Sequence, residues 1–108
     1  MNRANFSTLS SATLELLDGA LGDLEHDDLD VDLGGDVLTL EFSDGTTFII
    51  NAHGAATQIW MAANRTAWHF DYQESSETWV AHKTGDELFE TLSRMVGEQL
   101  GMPVEILR

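Results

Sequence analysis

The sequence predicts an α+β fold: a two-layer sandwich in which an antiparallel sheet of about six strands carries an N-terminal and a C-terminal helix on one face. Three observations predict it. Apolar residues recur at helical spacing near both ends of the chain, they alternate with polar residues through the middle, and short turn signals separate the alternating segments. Strands joined so closely pair as antiparallel neighbours, and helices flanking such a run settle on one side of it. At 108 residues a single domain, residues 1–108, is expected, large enough to bury roughly two-thirds of its unfolded surface.

The first element is an amphipathic helix over residues 5–25. Phe6, Leu9, Leu16, Leu17, Ala20 and Leu24 recur at spacings of three, four and seven, and Leu14 and Leu21 widen the stripe. Asn2 or Asn5 supplies an N-cap. Gly19 and Gly22 loosen the last turns, each costing a helix about 1 kcal/mol relative to Ala. Glu15, Asp18 and Glu25 share the opposite face.

Strands follow. Leu29, Val31 and Leu33 alternate with Asp28, Asp30 and Asp32; Gly34-Gly35-Asp36 then turns the chain into VLTLEF, Val37 to Phe42. Ser43-Asp44-Gly45 is a second turn, with Asp-Gly favouring a hairpin. TTFIIN (Thr46 to Asn51), QIWMAA (Gln58 to Ala63), WHFDY (Trp68 to Tyr72) and TWVAH (Thr78 to His82) complete the sheet. The period then changes again. Thr84 with Glu87 fits a capping box, and Leu88, Phe89, Leu92, Met95, Val96 and Leu100 form a helical stripe closed by Gly101 and Pro103.

Nothing in this plan covers the other face of the sheet, which an antiparallel sheet tolerates by turning polar residues outward. If Ile59 and Met61 face the core, neighbouring side chains face water. The open face then carries Asn51, Gln58, Trp60, His69, Asp71 and His82. Shifting the parity to hide Trp60 would expose both Ile59 and Met61, so an outward Trp60 is expected. An exposed aromatic beside Asn and Gln fits an interface anchor, because Trp is enriched among binding hot spots.

Charge narrows the function. Nineteen acidic against five basic residues give a formal net charge of −14, which excludes nucleic-acid binding, since phosphate recognition needs clustered Lys and Arg. No apolar run approaches the roughly 20 residues of a membrane span, and the start of the chain resembles neither a signal peptide nor a transit sequence. The absence of cysteine removes disulfides, thiolate metal sites and thiol nucleophiles, and is compatible with a cytoplasmic location.

The acids crowd one stretch. DLEHDDLDVD, Asp23 to Asp32, carries six carboxylates in ten residues and no cation. An EF-hand loop beginning at Asp28 fails, because Leu33 and Thr39 occupy the positions that need Gly and Glu. What remains is a row: Asp28, Asp30 and Asp32 on the outer face of a strand, with Asp18, Asp23, Glu25 and Asp27 on and after the helix end. Such oxygen donors suit hard cations, among them Mg²⁺, Ca²⁺ and iron. A solvated acidic face and a site for cations or a basic partner are both open readings. His26 lies inside the row and could add an imidazole. No pair of histidines has the spacing of a helical zinc motif, and no nucleophile elbow or paired acid and base in a cleft is legible. No enzymatic activity is expected.

Taken together these segments resemble the frataxin family, in its bacterial branch, nearly end to end. The resemblance rests on the acidic first helix and strand, on GGDVLTLEFSDGTTFIIN, the Gln-Ile-Trp strand, WHFD, ETWVAH and TGDELFETL. It implies an iron-binding ridge of Asp18, Asp23, Glu25, Asp27, Asp30 and Asp32, holding ferrous or ferric iron weakly. It implies docking on a cysteine desulfurase near the scaffold protein of iron–sulfur cluster assembly, with Asn51, Gln58 and Trp60 on the docking face, and a C-terminal tail from Met102 packed near the helices. A monomer is expected, with oligomers driven by iron. Gly19 and Gly22 stand where relatives commonly carry acids, and Ala52 where they carry Lys or Arg. A ferroxidase that stores iron in oligomers, and an acidic interaction module with incidental metal binding, are the alternatives.

Overall fold

The computed structural model describes residues 1–107. Helix α1 (Arg3–Gly22) leads into strands β1 (Leu29–Gly34), β2 (Val37–Phe42), β3 (Thr47–His53), β4 (Gln58–Ala63), β5 (Thr66–Gln73), β6 (Thr78–Ala81) and β7 (Asp86–Glu87), and helix α2 (Leu88–Leu100) follows. The strands form one sheet in the order β1-β2-β3-β4-β5-β6-β7, each antiparallel to the next. The sheet therefore has seven strands rather than six. The additional one is the two-residue β7, which pairs Asp86 with Ala81 and Glu87 with Val80, too short to leave an alternating pattern.

That pairing also corrects the predicted capping box. Glu87 is itself the N-cap of α2, and its carboxylate accepts from the N–H groups of Phe89 and Glu90. Thr84 Oγ1 instead accepts from Asp86 N–H at 3.3 Å. Because residues 86 and 87 are held in the sheet, the helix cannot start before Leu88. At the other end Gly101 caps α2 at φ 69°, a left-handed conformation that glycine adopts without a Cβ clash.

For α1 the cap is Asn2, whose Oδ1 accepts from Asn5 N–H at 2.8 Å. The helix buries Phe6, Ser10, Leu14, Leu17 and Leu21. The stripe is thus rotated from the predicted one: Leu14 and Leu21 are central, while Leu16 is 45% exposed. Small Ser10 lies in the buried row because its hydroxyl is satisfied within the helix, donating to Ser7 O at 3.4 Å.

Between helices and sheet lies one core. It takes Leu38, Leu40 and Phe42 from β2, Phe48 and Ile50 from β3, Ile59, Met61 and Ala63 from β4, Trp68 and Phe70 from β5, and Trp79 from β6. Trp79 ties the layers together. Its indole meets Phe6 edge-on at 5.8 Å and Tyr72 at 5.1 Å, and its Nε1–H donates to Thr13 Oγ1 at 3.0 Å. The tail from Met102 returns along α2, burying Ile106, whose N–H donates to Ser93 Oγ at 2.9 Å.

Two turns set the sheet's register. Asn64 and Arg65 connect β4 to β5 with φ of 47° and 68°, the doubly left-handed geometry of a two-residue hairpin. Pairing resumes at Ala63 with Thr66, so β5 begins two residues earlier than predicted. In the Ser43-Asp44-Gly45 loop, Gly45 takes φ 92°. Asp44 accepts from Thr46 N–H at 2.9 Å and from Gln99 Nε2 at 2.8 Å, linking the loop to α2.

Those bonds, the Thr46 N–H first and its hydroxyl next, hold the Asp44 carboxyl below its ordinary pKa. A carboxylate depressed in the folded state contributes stability above its unfolded pKa and loses it as pH falls through the folded value. The stability difference between wild type and Asp44→Ala, measured by chemical denaturation, is therefore expected to be constant near neutrality and to shrink below about pH 4. A difference independent of pH would remove the carboxylate from the explanation.

No helix among the described residues is long and apolar enough to cross a membrane.

Candidate functional site

On the uncovered face of the sheet, register brings together residues far apart in sequence. Asn51 on β3 lies opposite Trp60 on β4, and Trp60 lies opposite His69 on β5. Ile59 and Met61 are 0% and 2% exposed, so Trp60 points outward, as the parity of β4 requires. It does not, however, present a bare ring to water. The His53 imidazole stacks on one partner side at 3.8 Å and 14°, and the His69 imidazole at 4.2 Å and 12°. Trp60 is consequently half-buried. Neighbouring strands run about 4.8 Å apart, so planar rings rising from three adjacent strands come to stacking distance with little adjustment. Periodicity along one strand cannot reveal this, because the covering atoms come from the other two.

Polar contacts fix the stack. Trp60 Nε1–H donates to Gln58 Oε1 at 2.8 Å, and Gln58 Nε2 donates to Asp71 Oδ1 at 3.1 Å. Asp71 Oδ2 is 3.9 Å from His82 Nε2. The predicted open-face set of Asn51, Gln58, Trp60, His69, Asp71 and His82 thus shares one surface, although β6 ends at Ala81 and His82 lies just beyond it.

His53 is the member of this stack that the sequence does not mark. It belongs to β3, which runs two residues past the predicted end at Asn51 and so keeps the same parity. Ala56 N–H donates to His53 Nδ1 at 3.3 Å. The loop closes on Thr57 at φ 51°, a conformation that is costly for a β-branched residue and here stands directly before Gln58.

The acidic residues are arranged differently. Asp18 is half-buried on α1, and Asp23 caps that helix, its N–H donating to Gly19 O at 3.0 Å. Glu25 takes φ 47° in the connection to β1. His26 Nδ1 accepts from Asp28 N–H at 3.1 Å, which engages one of its two ring nitrogens in the turn. Asp27 and Asp28 are exposed in that turn, and Asp30 and Asp32 are exposed on β1. Asp30 stands opposite Glu41 and Asp32 opposite Thr39. Like charges facing one another across strands are destabilising, and acids on an edge strand also discourage pairing with a further strand.

Among the described residues no three His, Asp or Glu side chains converge in a way that could hold a metal ion. The one ion pair among them is His82 with Asp71, so the acids between Asp18 and Asp32 have no internal cation. The result is an exposed band of oxygen donors along the α1–β1 edge, open to hard cations but not shaped as a closed cage.

Residues 1–102 match the profile of a frataxin-like domain. A protein of Thioalkalivibrio sulfidiphilus named iron-sulfur cluster assembly protein CyaY is 36% identical over 103 residues, covering 94% of this chain and 96% of that protein. Among solved structures, the frataxin of Psychromonas ingrahamii superimposes with a TM-score of 0.90 at 29% identity, with both chains covered completely. A trimeric frataxin of Saccharomyces cerevisiae gives 0.74 at 29% identity, covering 86% of this chain and 79% of that one.

Proposed function

The chain belongs to the frataxin family, and on that premise we propose that it serves iron–sulfur cluster assembly as an iron-binding protein docking on the cysteine desulfurase beside the scaffold. The observation that carries this reading is the band of uncompensated carboxylates between Asp18 and Asp32, set on the edge of a sheet whose open face displays an ordered Trp60. Iron is cargo in this reading, not a resident cofactor. Exposed carboxylates concentrate the cation and give it up readily, because no buried cage must open for release.

The same charges orient docking. Asp30 and Asp32 meet a surface rich in Lys and Arg, which speeds encounter and fixes register, while Trp60 and its flanking rings supply area that loses water on contact. The chain tunes or supplies the partner's reaction in the cytoplasm and performs no bond-breaking chemistry of its own.

Replacing both Asp30 and Asp32 with Asn is expected to weaken iron binding and to slow desulfurase association on the order of tenfold at low salt. Raising the ionic strength should narrow the gap between variant and wild type. Titration calorimetry with iron, and pull-down on the desulfurase with and without iron, are the measurements. Unchanged binding of both would sink the proposed role of the band.

A further inference from the structure

Trp60 would ordinarily offer a partner the flat faces of its indole, yet both are occupied. His53 covers one at 3.8 Å and His69 the other at 4.2 Å, each within 14° of parallel. The ring edge is fixed too, through Gln58 to Asp71 at 2.8 and 3.1 Å. We infer that His53, His69 and Asp71 are positioning residues that hold Trp60 as the centre of a three-ring slab, and that the two imidazoles make docking through this face sensitive to protons. The inference rests on the docking function proposed above and names what regulates it.

Imidazole is the side chain whose charge ordinarily changes between about pH 5 and 8. An imidazolium stacked on an indole gains a cation–π attraction that a neutral ring lacks, but protonation of His53 also turns its Nδ1 from acceptor of the Ala56 N–H into a donor, so that bond to the β3–β4 loop is lost. Protonation also places positive charge on a face that, in the proposed function, approaches a cationic partner. The lost Ala56 bond and the added positive charge act in one direction: docking weakens as pH falls.

The charged and titratable groups around the rings are few. The main-chain carbonyl of Asp36, in the β1–β2 turn, accepts from Ala52 N–H, which brings that residue beside His53. Asp71 lies two residues along β5 from His69, with His82 at 3.9 Å from it. Lys83 shares a small cleft with His69. Asp71 is therefore the carboxylate on which the face converges. Through Gln58 it fixes which way the amide points, leaving Oε1 to receive the indole N–H.

The test compares desulfurase affinity at pH 8 and pH 6, at constant ionic strength, for the full chain and for the double variant His53→Gln with His69→Gln. Wild type is expected to bind about tenfold more weakly at pH 6, and the double variant to lose most of that dependence. An equal pH slope in both proteins overturns the inference. Asp71→Ala should weaken docking at pH 8 while Asp71→Asn, which keeps an oxygen acceptor for Gln58, restores it; equal loss in both overturns the positioning role.

A readout without any partner separates this proposal from the docking function itself. In the isolated chain the Trp60 indole N–H resonance should move with pH together with the His53 and His69 ring signals, and should stop moving in the double variant. If that coupling appears but the desulfurase binds at neither pH, the docking function fails and the clasp stands. If the Trp60 signal ignores both imidazoles, the clasp fails whatever binds.

Discussion

Replacing Trp79 with Ala is expected to cost about 3–5 kcal/mol of folding stability, the usual range for removing a large buried aromatic. The side chain is 3% exposed and meets Phe6 and Tyr72 edge-on, so its loss opens a cavity between α1 and the β5–β6 hairpin. It also strips Thr13 Oγ1 of its indole donor. A domain of this size typically has only about 5–15 kcal/mol of net stability, so the variant should unfold at much lower denaturant or fail to accumulate as folded protein. Denaturant unfolding followed by circular dichroism measures the effect. A loss under about 1 kcal/mol would mean that α1 is not held through this residue.

Replacing Trp60 with Ala should do nearly the opposite. The ring stands outside the core, and its removal leaves Ile59 and Met61 buried beneath the sheet. Losing two aromatic stacks is expected to cost roughly 1–2 kcal/mol of stability. Docking on the desulfurase should fall by at least about 30-fold, corresponding to the roughly 2 kcal/mol that defines a binding hot spot. Calorimetric titration against the desulfurase beside a thermal melt gives both numbers. Wild-type affinity in a folded Trp60→Ala chain would end the assignment of the open face as the docking surface.

Two tryptophans of one chain thus occupy different surroundings, and strand parity separates them. Trp79 shares the core side of its strand with Ala81, and Trp60 alternates with Ile59 and Met61. That much is legible in the sequence, because alternation is a local property of an extended chain. The bounds of β2 and β4 follow from the same signal with no error. The misplaced features have other causes. Glu87 became a cap because β7 holds it in the sheet, Leu16 was left exposed because α1 turns Leu14, Leu17 and Leu21 to the core instead, and β5 gained Thr66 from a turn that restarts pairing at once. The first two are set by contact with another element, and the third by a hairpin turn, Asn64-Arg65, that carries no glycine to mark it.

The candidate site divides along the same line. The acids from Asp18 to Asp32 are visible as composition, and their lack of internal cations among the described residues fits a chain that has so few bases to offer. The stack of His53, Trp60 and His69 leaves no such trace, since its members come from three strands and meet only through register.

By itself, then, the sequence determined which strand residues would face inward, how many helices would flank the sheet, and where negative charge would accumulate, all through periodicity and composition. Only the tertiary structure decided what each outward side chain would touch. Cross-strand neighbours are chosen by register and strand spacing, and these turned an apparently bare tryptophan into the clasped centre of three rings.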